Sequence, residues 1–233
     1  MNNRLTVEII VEGPTESKFV KTVLAPYWGK RGIDVYAPVI RTQIDERSGT
    51  IYKGGDIRFS RIKKQISNFL KQRDEIIVAS FVDYYGIMEW PSLEAIQGNH
   101  SPHEIAHILN NAAKNAIQEA YPEMRPSERY FPFTAVYEFE ALLFSDSSIL
   151  AKNLCISSTV IDAVLQEYGN PETINNSPET APSKRLDAWT NGQYGKTTTG
   201  IVIAEEIGID KMRQACPNFD AWLSSIEALQ EEV

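Results

Sequence analysis

Two short β-branched runs, RLTVEIIVE (4–12) and EIIVASFVD (75–83), constrain the fold more than any other feature of the sequence. A nearly unbroken apolar run of this length suits a strand buried on both faces, which is the environment of a parallel sheet covered by helices. The segments around them alternate in kind. Thr15 offers an N-cap, and ESKFVKTVLAPYW after it sets Phe19, Val20, Val23 and Leu24 on one helical stripe. IDVYAPVIR (33–41) reads as a second strand, with Pro38 pushing it to a sheet edge or a bulge. Residues 60–73 read as an amphipathic helix with Ile62, Ile66, Phe69 and Leu70 inward, and 102–121 as another helix. RYFPFTAVYEFE (129–140) reads as a further strand. Strand–helix alternation predicts an α/β fold: a mostly parallel, Rossmann-like sheet flanked by helices.

Beyond residue 150 the texture turns helical, with polar breaks at YGNPETINNSPETAPSKR and TNGQYGKTTTG. The expected organisation is an α/β domain over 1–150 and a helical C-terminal part over 151–233 packed on it. The polar, glycine-bearing stretch 42–59 reads as a long surface loop of the kind that usually serves function. No apolar run approaches the ~18 residues of a membrane span, so no membrane association is expected. The N-terminal apolar stretch is short and broken by Glu8, which argues for a strand and against a signal peptide. Cys155 and Cys216 have no motif spacing, which fits a reducing, cytoplasmic setting.

Charge is uneven. The chain carries a formal net charge of −8, yet nine Lys and Arg fall between Arg41 and Arg73 against Asp45, Glu46 and Asp56. An acidic body with one basic stretch can set a polyanion beside an acidic site, although a basic run is also an ordinary solvated helix face. The acids themselves are placed unusually. Three of the four candidate strands end in carboxylates: Glu12, Asp83, and Glu138 with Glu140. Sites in parallel α/β sheets form at the carboxyl ends of strands. Ionised carboxylates crowded there repel one another unless a cation neutralises them, and hard divalent ions take oxygen ligands. Glu16, in the first turn of the helix after Glu12, can face the same crevice. Glu138 and Glu140 share a face only if the strand continues through both.

VEGPTESKF followed some 70 residues later by VDYYG resembles the Toprim pattern. With YKGGDIRFSR, PFTAVYEFEALLFSD, APSKRLDAW and YGKTTTGIVIAEEIGIDKMRQACPNFDAWL, the chain resembles an uncharacterised bacterial Toprim-like family, similar to the nuclease half of the OLD (overcoming lysogenisation defect) family. The resemblance implies a Toprim-like fold and phosphodiester hydrolysis with one or two Mg²⁺ or Mn²⁺ ions. It makes Glu12 the Toprim Glu, a metal ligand or general acid/base. Glu16 becomes the second acid of the EGxxE pattern, and Asp83 the first Asp of Asp-x-Asp. Tyr85 stands where the second Asp is usual, a place that Glu138 or Glu140 could fill. Expected ligands are therefore Glu12, Glu16, Asp83, Glu138 and Glu140. Lys184 and Lys196, with Lys53 and Arg185, are candidates to neutralise developing phosphate charge. Lys53, Arg58, Arg61, Lys64 and Arg185 are the expected nucleic-acid contacts. The implied partners are DNA or RNA and an ABC- or AAA-type ATPase in anti-phage defence, with a homodimer as a further expectation.

Two other readings stand beside the nuclease. The Tyr85 departure suits a non-catalytic subunit that binds nucleic acid or a partner. HEIAH (103–107) matches His-Glu-x-x-His on a predicted helix, as in zinc peptidases, with Glu104 as base. Its surroundings lack the downstream Gly and third His of the extended motif, and Glu128 falls outside the helix after Pro122 and Pro126.

Overall fold

The computed structural model describes residues 4–40, 57–175 and 180–231, and the backbone of 43–44 and 51–52. Four parallel strands form the central sheet: β1 (Leu5–Val11), β2 (Ile33–Tyr36), β3 (Ile76–Asp83) and β4 (Tyr130–Ala135), in spatial order 2-1-3-4. β1 aligns Thr6 with Ile76 and Val11 with Phe81 of β3. On its other side, Leu5 to Glu8 pair with Ile33 to Tyr36. All of β3 is buried except its last residue, Asp83. β2 is an edge strand, as Pro38 suggests, and it stops at Tyr36; beyond the proline only a single bridge joins Val39 to Val11.

The chain leaves β1 through a helix, α1, built of three consecutive segments: Pro14–Phe19, a π-helical turn Val20–Leu24, and Ala25–Gly29. Pro26 supplies no N–H and crowds the carbonyl four residues back, so the wider π turn directly before it relieves the helix. Contrary to the expected N-cap at Thr15, the helix is capped at Gly13 and Thr15 lies buried inside it. α2 (Phe59–Leu70) and α3 (Pro102–Ala120) follow, close to their predicted bounds.

The expected strand 129–140 is cut short. β4 ends at Ala135, and Phe139–Ser145 forms a 3₁₀ turn in its place. The apolar run FEALLF has no two-residue alternation, so it buries itself as a helical turn rather than extending the sheet. α4 (Ser147–Leu154), α5 (Ser158–Tyr168), α6 (Pro182–Trp189), α7 (Ile201–Ile207), α8 (Ile209–Ala215) and α9 (Pro217–Glu231) complete the chain.

Strand alternation divides the core into two layers. Val7, Ile9, Val11, Ile77, Ala79 and Phe81 face α1 and the C-terminal helices. Ile10, Ile76, Val78 and Val82 face α2 and α3. On the first side Trp222 of α9 stacks on Phe133 at 4.9 Å between ring centres, and Phe133 meets Phe81 edge-on at 5.2 Å. Aromatic contacts of this kind add specificity to the burial. Polar ties hold the same helix. Trp28 Nε1 donates to Glu227 Oε1 at 2.8 Å, Arg213 pairs with Glu227 and Asp220, and the Leu5 amide donates to Gln230 Oε1 at 3.0 Å. The C-terminal helices therefore share a continuous core with the sheet. Among the described residues no helix is long and apolar enough to cross a membrane.

Candidate functional site

In the order 2-1-3-4, β1 connects outward to β2, while the next strand, β3, lies on the opposite side of β1. That reversal opens a crevice at the carboxyl ends of β1 and β3, the usual ligand position in such sheets. Glu12 follows β1 there and Asp83 ends β3. The turn after Asp83 presses against Glu12 closely. A Cβ on Gly86 would lie 2.7 and 2.8 Å from the two Glu12 carboxylate oxygens and 2.8 Å from Cδ1 of Ile57. A side chain there would push the Glu12 carboxylate and the tip of Ile57 out of their present positions.

Asp83 is the electrostatic centre. Its Oδ1 accepts the backbone N–H of Phe139 at 2.8 Å, which ties the end of β3 to the turn after β4. Burial drives its pKa well above the ordinary carboxylate range, and repulsion from Glu16, Glu12 and Glu140 drives it further; Lys196 opposes them. Glu16 is also raised, by burial first, with Glu12 adding to it. Its Oε2 accepts the Gly13 amide at 2.9 Å, so Glu16 holds the turn between β1 and α1.

Glu138 and Glu140 part company because a 3₁₀ turn, not a strand, carries them. Glu138 turns to the start of α6, where the Ser183 amide and hydroxyl each donate to it at 2.9 Å. Two of the motifs read from the sequence, EFE and PSKR, thus meet in one helix cap. Glu140 is only 1% exposed. Lys196 Nζ stands 2.9 Å from its Oε1, an ion pair without the alignment of a good hydrogen bond, and its Oε2 has no hydrogen-bond partner. Burial raises the Glu140 pKa, while Lys196 pulls against it. For Lys196 burial pulls the pKa down, but the Glu140 and Glu138 carboxylates outweigh it and the net direction is up.

The remaining predicted cations are spread differently. Arg58 N-caps α2 and Arg61 lies in its first turn, at the carboxyl end of the sheet; Lys64 lies one turn further along and is exposed. Lys184 is exposed on α6. Arg185 turns away towards α5, donating to the Thr180 carbonyl at 2.9 Å and the Tyr168 hydroxyl at 3.2 Å. Lys53 lies outside the described residues. Three residues of the site were not singled out from sequence: Gly86, Ser183 and Tyr194. The Tyr194 hydroxyl is buried without a hydrogen-bond partner, and burial, with the nearby Glu140 and Glu138, raises its pKa. Its proximity in sequence to Lys196 was the available signal.

The HEIAH segment makes local bonds. SPHE at 101–104 is a capping box: Ser101 N and Oγ donate to Glu104 Oε2 at 2.7 Å, and the Glu104 amide donates back at 3.3 Å. His103 Nδ1 pairs with Asn218 Oδ1 at 2.6 Å, and His107 with Asn111.

Whether the crevice fits a hard cation can be judged on its donors. They are all oxygens, their charge is only partly offset by Lys196, and one buried oxygen of Glu140 lacks a partner. Among the described residues no three His, Cys, Asp or Glu side chains already form a ready cage. Mg²⁺ needs none, since it commonly binds one or two carboxylates and completes its shell with water and substrate phosphate. The donor set fits such an ion. Comparison with curated proteins and with solved structures finds no match. A family model does match, over residues 11–227, from the end of β1 into α9; the chain belongs to the family described as Domain of unknown function (DUF4276).

Proposed function

We propose that this chain is a divalent-metal-dependent phosphodiesterase acting on nucleic acid, of the Toprim/OLD type. One observation carries the reading: Asp83, at the end of the central strand, is surrounded by Glu12, Glu16 and Glu140 with Lys196 as counter-charge. Glu12, Asp83 and Glu140 would hold the ion. When bound, it would supply Lewis acidity and an activated water. The chain's own part is positional. Gly86 leaves room for the Glu12 carboxylate beside the turn after β3, and the Phe139 amide orients Asp83. Glu16 fixes the Gly13 turn. Lys196, once released from Glu140, can meet the charge that develops on a phosphate.

Purified protein is incubated with plasmid, single-stranded DNA and tRNA in Mg²⁺, Mn²⁺ or EDTA. Cleavage that needs metal and disappears in both Glu12→Ala and Asp83→Ala is the expected result; cleavage that survives either substitution overturns the mechanism. A second reading, a binding subunit without catalysis, is favoured by Tyr85 in place of an acid. Binding without cleavage under every metal condition would select it.

A further inference from the structure

The His-Glu-x-x-His helix borders a groove that the carboxylate crevice does not explain. His103, His107, Asn111 and Lys114 recur at the spacing of one helical face, and that face of α3 forms one wall of a groove of about 280 Å³. Asn218 and Trp222 of α9 belong to the opposite wall, and Phe131 to Phe133 of β4 form the floor. The volume stands near the lower limit for small-molecule pockets, roughly 300 Å³.

The floor is poorly suited to a pairing strand. β4 is the edge of the four-stranded sheet, but Pro132 has no N–H to offer, and the Phe131 carbonyl already accepts Trp222 Nε1 at 3.1 Å. The two histidines are engaged by amides, His103 by Asn218 and His107 by Asn111.

Charge sets the groove apart. In a chain of net charge −8, none of the described residues lining it is Asp or Glu. Glu104 and Glu172 interact electrostatically with His103, but each is tied to a helix start. Glu104 bonds Ser101, and Glu172 accepts the Asn218 and Phe219 amides at 2.8 and 2.9 Å. Lys114 is half-buried, with Nζ 4.9 Å from the Phe131 ring centre. Among the described residues it makes no ion pair, and burial alone lowers its pKa. An ammonium against apolar surface without a counter-charge is costly, and an anionic oxygen would supply the missing partner.

We infer that the groove between α3 and α9 binds a small organic anion, a carboxylate or phosphate ester on a compact apolar body, with its charged oxygens at Lys114 and its body along the Phe131–Phe133 floor. The groove shares no residue with the carboxylate crevice, so the inference stands whatever reaction those acids carry out.

The test is a titration of the isotope-labelled full chain, read by backbone amide shifts in NMR. Benzoate and phenyl phosphate present the two anionic heads on one ring. Benzyl alcohol is the uncharged ring, and acetate and inorganic phosphate are the heads alone. Probes of this size bind at about 1 mM. Expected are shifts confined to α3, β4 and α9 with benzoate or phenyl phosphate, and binding roughly 10-fold weaker for benzyl alcohol and the bare ions. Lys114→Met should lose roughly 10-fold and Lys114→Arg little; Lys114→Gln makes the same comparison if the methionine variant folds poorly. Asp83→Asn, in the crevice, should bind as the parent does. The tighter of the two heads tells a carboxylate from a phosphate ligand. Equal binding of benzyl alcohol, unchanged affinity without the Lys114 charge, shifts that map to the crevice, or no shift with either anion at about 10 mM would overturn the inference.

Discussion

Lys196 Nζ stands 2.9 Å from Oε1 of Glu140, a carboxylate that is 1% exposed. Breaking a buried pair from one side costs about 3–5 kcal/mol. The Lys196 side chain is 47% exposed, so solvent screening reduces the expected loss for Lys196→Met to about 1–3 kcal/mol. The sign with pH follows from Glu140, whose pKa burial already raises and whose counter-charge is then gone. The loss is full where Glu140 is ionised and fades as pH falls and the acid is protonated. Urea unfolding across pH should show this, and Glu140→Gln in the same chain should restore most of the stability. A loss independent of pH would count against the pair.

Asp83 carries the opposite liability. Its folded-state pKa lies well above the unfolded value. Stability from the protonated acid is therefore present at low pH and lost as pH rises through the folded-state pKa. Asp83→Asn keeps an oxygen for the Phe139 amide and removes the charge. In EDTA it should melt higher than the parent on the alkaline side, by about 1 kcal/mol, with the gap closing towards acid. Mn²⁺ should raise the melting temperature of the parent more than that of the variant, since a ligand stabilises only the state that binds it. Equal Mn²⁺ shifts would argue that Asp83 is no ligand.

Glu138 and Ser183 form a cap joining the site turn to α6. Glu138→Ala and Ser183→Ala should each cost about 1 kcal/mol, the ordinary value of a helix cap. Ser183→Ala removes only the hydroxyl bond and leaves the amide bond, so Glu138→Ala should cost the more of the two, and the double variant should lose little more than Glu138→Ala alone. Metal affinity, read by titration calorimetry, should fall far more in Glu140→Gln than in Glu138→Gln. The reverse ranking would make Glu138 the ligand and the Ser183 contact incidental.

Gly86→Ala tests the close approach to Glu12. The added methyl would overlap both carboxylate oxygens and Cδ1 of Ile57; these are ends of flexible side chains that can shift, so the stability cost should stay at or below about 1 kcal/mol, the low end for overpacking. Displacement of Glu12 should also lower metal-dependent activity beyond what the stability loss explains. An active, parent-like variant would show that the Glu12 position is not critical.

Much of the frame was legible in the residues because burial leaves a pattern. The runs at 4–12 and 75–83 became β1 and β3, and the stripe Ile62, Ile66 and Leu70 became the inner face of α2. Pro38 marked an edge strand correctly. Where the pattern lost its period, the reading failed: FEALLF is equally apolar as strand or turn, and 129–140 was drawn too long. The gathering of acids followed from strand ends alone, but their division of labour did not. Ser183 and Glu138 are far apart in sequence, and no local signal links them. SPHE, by contrast, displayed its capping box openly and was outweighed by the coincident His-Glu-x-x-His spacing. Glu16 likewise acts on the Gly13 amide three residues before it.

The bond from the Leu5 amide to Gln230 bears on how the molecule comes into being. β1 and α9 complete one another's layer, with Trp28 and Glu227 as a second stitch. In a nascent chain the face of β1 covered by α1 would lack its C-terminal cover until α9, more than 200 residues after it, is made. Contacts this distant in sequence slow folding, so the apolar flank of β1 is the surface a holding chaperone would meet first.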